Sequence, residues 1–115
     1  MDMAGKTIIP GLVDVHSHMH FNTLDINPEN QWAYEANLAF GVTAAHDPSA
    51  STQAVFTQSE MVKAGEMIGP RIFSTGYILY GAESSQKAIV NNYKDAYAHM
   101  KRLKGLGAFS VKSYK

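Results

Sequence analysis

Along residues 8–17, IIPGLVDVHS, apolar positions give way to strict alternation, and the alternation continues through His20. Period two predicts a strand with two unlike faces. Val13 and Val15 lie opposite Asp14, His16, His18 and His20, so three of the five histidines share one face. Residues 21–27 read as a loop. Asn27-Pro28 then predicts a helix start, with an N-cap followed by proline at the first helical position. That helix runs to about Phe40, with Trp32, Ala36 and Phe40 on one apolar stripe and Gly41 just past its end.

The same order of helix, glycine and strand recurs twice more. VTAAH at 42–46 is a strand stopped by Asp47-Pro48, and Ser51 or Thr52 caps a second helix that Gly65 closes. RIFST at 71–75 is a third strand, and residues after Gly76 read as a loop carrying Tyr77 and Tyr80. A third helix starts near Asn92 with Ala96, Met100 and Leu103 on one face, and AFSVKSY at 108–114 is a fourth strand. The apolar residues Trp32, Phe40, Val62 and Met100 are expected to cover the sheet. Units of 30–40 residues are the size of βαβ crossovers, which imply parallel strands. The expected class is α/β, one domain over 1–115, either an open four-stranded sheet or the first half of a (β/α)8 TIM barrel, which needs about 250 residues.

Composition narrows the chemistry. Ten basic residues balance ten acidic ones, so no nucleic-acid or acidic-membrane partner is expected. The absence of cysteine excludes disulfides, thiolate zinc sites and a cysteine nucleophile, leaving His, carboxylate or a modified side chain as metal ligands. The start MDMAGKTIIPGLV shows no signal pattern, and no apolar run spans a membrane. The expected location is the cytoplasm, with export if an upstream signal has been lost.

Active sites of parallel α/β folds gather at the C-terminal ends of strands. His16 and His18, one residue apart at such an end, can grip a single metal ion. In AFSVKSY, Ser110, Lys112 and Tyr114 share a face opposite Phe109, Val111 and Ser113. A desolvated lysine is readily neutralised and can then take up carbon dioxide as a metal-binding carbamate. The alternative for Lys112 is a side chain reaching solvent from the strand end. His20 lines the substrate mouth or is a solvated loop residue, and His46 faces the pocket or is a hydrogen-bonded structural histidine. Tyr77 and Tyr80 contact substrate or pack their own loop. His99 is expected at the surface.

GKTIIPGLVDVHSHMH resembles the first barrel strand of the amidohydrolase superfamily, whose D-x-H-x-H run follows a proline-glycine-hydrophobic lead. GVTAAHDP is similar to its second strand, GPRIFSTG to its third and GAFSVKSY to its fourth. The similarity spans essentially the whole chain and is nearest to the imidazolonepropionase- and prolidase-like branch. It implies a half-barrel of strands one to four. It also implies a metal-dependent hydrolase of amide or other C–N bonds, working through metal-activated water on a small molecule or short peptide. His16 and His18 become metal ligands, and Lys112 takes the position of the often carbamylated lysine that bridges two metals. The implied cofactor is a divalent metal, zinc, as one or two ions. The histidines of strands five and six and the catalytic aspartate of strand eight are expected beyond residue 115, so the chain alone is expected to be inactive. The competing expectation is a non-catalytic half-barrel that binds metal or assembles. Either its exposed strand edges pair in a homodimer or larger assembly, or a missing C-terminal half covers them.

Overall fold

The computed structural model describes residues 2–19, 26–82 and 87–114, leaving aside the side chains of Lys87 and Tyr114. The elements in chain order are β1 (Leu12–Asp14), α1 (Trp32–Ala39), β2 (Val42–Asp47), α2 (Thr52–Ala64), β3 (Arg71–Ser74), β4 (Ile78–Tyr80), β5 (Lys87–Ile89), α3 (Tyr93–Gly105) and β6 (Ser113–Tyr114). They form two three-stranded parallel sheets, ordered β1-β2-β3 and β5-β4-β6. The class is α/β, as the repeating pattern predicts. No described helix is long and apolar enough to cross a membrane.

The division into two sheets comes from a break in the third strand. β3 and β4 are successive stretches of one run, interrupted at 75–77, where Gly76 takes a positive φ of 64°. A Cβ there would sit 2.7 Å from Thr52 Oγ1, so glycine answers both the backbone and the space. The Thr52 hydroxyl accepts from Tyr77 N at 2.9 Å, and Thr75 N donates to Asp47 O at 3.3 Å, which fixes the break against α2 and β2. β2 therefore pairs with the first stretch and β6 with the second. The short segments β4 and β5, expected as loop, are parallel partners.

The core has two parts. Met19, Tyr34, Ala45, Val55, Met67 and Ile72 belong to the larger cluster, between α1, α2 and the first sheet. Leu79, Leu103 and Ala108 form the smaller, and Phe56 of α2 packs against both. α2 matches its expected bounds and ends in the left-handed conformation at Gly65, φ 80°. α3 begins as expected at Asn92, whose side chain accepts from Asp95 N at 3.0 Å while Asp95 Oδ2 accepts from Asn91 N.

Four expectations are corrected. The first helix begins at Trp32 behind Gln31, not at Pro28. Asn27 does not cap it; its side-chain oxygen accepts from Gln58 Nε2 at 3.1 Å. The buried face is Ala33 and Tyr34, so Trp32 (65% exposed) and Phe40 (82%) do not cover the sheet, and Met100 is exposed as well. The fourth strand shrinks to Ser113–Tyr114, because the chain bends at Phe109 and Ser110 after the turn at Gly107. His99 is not a plain surface residue: it is half-buried and its Nε2 lies 3.1 Å from Ile89 O, an acceptor supplied by the unexpected β5.

Candidate functional site

β1 ends at Asp14, two residues before the first histidine of the site. Asp14 Oδ1 accepts from His16 N at 3.0 Å, a local turn that competes with the ladder and takes the chain out of the strand. The face shared by His16 and His18 is thus not the work of strand pleating. Both follow the strand, and the end of β2 holds them in place.

The last two residues of β2, His46 and Asp47, grip segment 15–19 at four points. Ser17 N donates to His46 O at 3.0 Å, and Met19 N donates to Asp47 Oδ2 at 3.3 Å. His46 Nδ1 lies 3.2 Å from Val15 O, and His18 Nδ1 lies 3.2 Å from Asp47 Oδ1. A carbonyl or carboxylate oxygen can only accept, so both rings carry a proton on Nδ1. Ser110 Oγ, 2.8 Å from His46 Nε2, then donates to that nitrogen. The segment leading to Lys112 is in this way tied through His46 to the histidine segment.

Asp47 is only 2% exposed, whereas the His18 side chain is 53% exposed. A buried carboxylate needs several donors. Besides His18 and Met19 N, Asp47 accepts from Ser49 N at 3.1 Å. Beneath it, Tyr34 donates to Gln58 Oε1 at 2.6 Å. Burial pushes the Tyr34 hydroxyl well above the ordinary tyrosine range, and the Asp47 carboxylate adds to the shift.

His16 and His18 are brought together, with ring centroids 5.2 Å apart and planes nearly perpendicular at 88°. Two imidazoles on one tetrahedral zinc, with bonds of about 2.0–2.1 Å, hold their ring centres on the order of 5 Å apart. With its proton on Nδ1, His18 presents Nε2 as a lone pair in the neutral form that metals require. The separation of the two rings is thus of the size that two ligands of one ion require. Among the described residues, no third His, Asp or Glu converges with them to complete a set.

Lys112 is half-buried just before β6, where its carbonyl accepts from Leu79 N at 2.8 Å. His46, at the end of β2, is occupied on both ring nitrogens. Tyr77 donates from its hydroxyl to Ser51 Oγ at 3.4 Å, and Tyr80 is half-buried in β4 rather than in a loop. His20 lies outside the described residues. The residue that the sequence reading missed is Asp47, which it took only as half of the Asp47-Pro48 stop of a strand. Its signal is an acid that closes an apolar parallel strand just before a proline.

The fold and site define an α/β chain of parallel strands with a histidine pair at their C-terminal end. No known family profile and no curated protein matches the sequence. Solved structures do match. A prolidase complexed with N-methylphosphonate-L-proline is 23% identical with a TM-score of 0.71, over 98% of this chain and 35% of that one. An uncharacterized protein is 22% identical with a TM-score of 0.72, over 98% and 34%. A Xaa-Pro dipeptidase with bound methionine in its active site is 20% identical with a TM-score of 0.64, over 90% and 33%. The chain thus shares the fold of about a third of each of these proteins.

Proposed function

We propose that this chain is the metal-binding N-terminal portion of an amidohydrolase-type enzyme, arranged as the first half of a (β/α)8 barrel, which hydrolyses amide or other C–N bonds. The observation that carries the reading is the His16–His18 pair, with His18 backed by a buried carboxylate at the C-terminal end of a parallel sheet. The prolidase and Xaa-Pro dipeptidase among the similar structures support a short peptide as the substrate class. A divalent ion, zinc by the chemistry of its imidazole donors, supplies Lewis acidity and a lowered pKa for water.

In this reading His16 and His18 hold the ion, and Lys112 joins them from the segment that Ser110 ties to His46. Asp14 and Asp47 shape the loop that carries the histidines. His46 acts as a strut between β1, β2 and the approach to β6, with both ring nitrogens committed. Hydrolysis belongs to the whole protein, of which this chain supplies one part of the site. The exposed apolar side chains Ile8, Ile9, Leu12, Val13 and Val15 along β1 and its approach are then the surface that the second half of the barrel covers.

Elemental analysis after dialysis against a small excess of zinc tests the metal reading. Wild type is expected to retain about one ion per chain, and His16→Ala/His18→Ala to retain close to none. Equal, near-zero metal in both proteins would remove the basis of the proposal.

A further inference from the structure

The geometry points to Asp47 as the positioning residue that sets the tautomer and aim of the His18 ring, an inference that rests on the metal reading above for its purpose. Three observations converge on it. Asp47 Oδ1 meets His18 Nδ1 at 3.2 Å across 29 residues of sequence, so the contact is tertiary. The carboxylate is itself held still, because Met19 N and Ser49 N donate to it and it is 2% exposed. The His18 side chain is half open to solvent and is followed directly by Met19, whose side chain is fully buried in the larger core cluster. The ring is therefore anchored on its Nδ1 side, and its Nε2 meets no hydrogen-bond partner among the described residues.

The chemistry follows from what a carboxylate can do. Asp47 accepts and cannot donate, so it selects the Nδ1–H form of His18 and leaves the Nε2 lone pair pointing away from the core. A carboxylate behind a ligating imidazole fixes the ring and raises its basicity, and loss of such a partner typically weakens metal binding 10- to 100-fold. Asp47 does this from the rigid end of β2, whereas His18 lies in a segment with no ladder of its own. His16 has no comparable contact through its ring with a carboxylate among those described, so the burden of pre-orientation falls on His18.

The test reads the ring proton directly. In metal-free wild type, long-range 15N–1H correlation spectra recorded above the imidazole titration range should show His18 as the Nδ1–H tautomer. Asp47→Asn removes the carboxylate charge and one of its two acceptor oxygens, so the preference for Nδ1–H is expected to weaken and the Nε2–H form to appear. Zinc affinity, measured by competition with a chromophoric chelator, is expected to fall 10- to 100-fold. A wild-type spectrum showing Nε2–H would overturn the assignment without any variant, which also covers the case of Asp47→Asn failing to fold. So would an Asp47→Asn protein that keeps both the Nδ1–H form and wild-type zinc affinity. A tautomer change in a protein that binds no zinc at all would uphold the role of Asp47 and sink the metal reading instead, so the two can fail separately.

Discussion

Truncation of Tyr34 to alanine is expected to lower stability by about 3–5 kcal/mol, the range for removing a buried large aromatic. Tyr34 is 1% exposed and belongs to the larger core cluster. Its hydroxyl also donates to Gln58 Oε1, and Gln58 is fully buried. Truncation thus opens a cavity and strands a buried acceptor together. Tyr34→Phe isolates the second effect and is expected to cost about 1–3 kcal/mol, the price of an unsatisfied buried polar group. Urea denaturation with a common slope separates the two variants. A Tyr34→Ala protein within 1 kcal/mol of wild type (roughly the smallest shift a core truncation gives) would mean that Tyr34 is not the keystone the packing indicates.

The same residue sets an alkaline limit. Burial holds the folded-state pKa of Tyr34 above its unfolded value of about 10. Below that value both states keep the proton and the full stability is present. As pH rises beyond it the unfolded chain loses its proton first, so stability falls through the alkaline range. Tyr34→Phe should flatten that fall relative to wild type.

Gly11→Ala is expected to detach the histidine segment from its support. A Cβ on Gly11 would lie 2.1 Å from Thr43 Oγ1, 2.3 Å from Thr43 Cγ2 and 2.7 Å from Thr43 Cβ. Thr43 is β-branched and sits inside β2, so it cannot turn aside cheaply. β1 is three residues long, pairs only with β2 among the described strands, and already shifts register between Leu12 and Val13. Overpacking of this kind costs about 1–3 kcal/mol. Lost docking of 15–19 should weaken zinc binding by about tenfold or more, since each tenfold corresponds to about 1.4 kcal/mol. Gly11→Ala/Thr43→Gly should restore both affinity and melting temperature. Unchanged zinc affinity in Gly11→Ala would show that the histidine pair does not depend on β1 docking.

Much of this organisation is legible in the residues, and the exceptions have physical causes. The bounds of α2 and β2 follow from punctuation that acts locally: Gly65 in the left-handed region, and Asp47-Pro48 at a strand end. Asn27-Pro28 carries an equally good local signal and misleads, because Gln58, 31 residues away, claims the Asn27 side chain. Local chemistry cannot announce a tertiary competitor. The strands at 78–80 and 87–89 are too short and too rich in neighbouring glycine and polar residues to stand out from a loop.

The site shows the same division. Alternation puts His16 and His18 together and their rings do lie side by side, yet the cause is different from pleating. The strand stops at Asp14, and the rings meet because Asp47 and His46 hold the segment after it. The contact between His18 and Asp47 spans two βα units, and nothing within either unit marks the other as its partner. Lys112 illustrates the opposite case. Its parity argument assumes a strand over 108–114, and the bends at Phe109 and Ser110 remove that premise. What links its segment to the histidines is the hydrogen bond from Ser110 to His46.

X-ray absorption at the zinc edge of the zinc-loaded chain tests the central claim most directly. The account predicts a first shell containing two imidazole nitrogens at about 2.0–2.1 Å, with their outer-ring scattering lost in His16→Ala/His18→Ala. A shell of oxygen donors alone, or an imidazole signature that survives the double substitution, would contradict it.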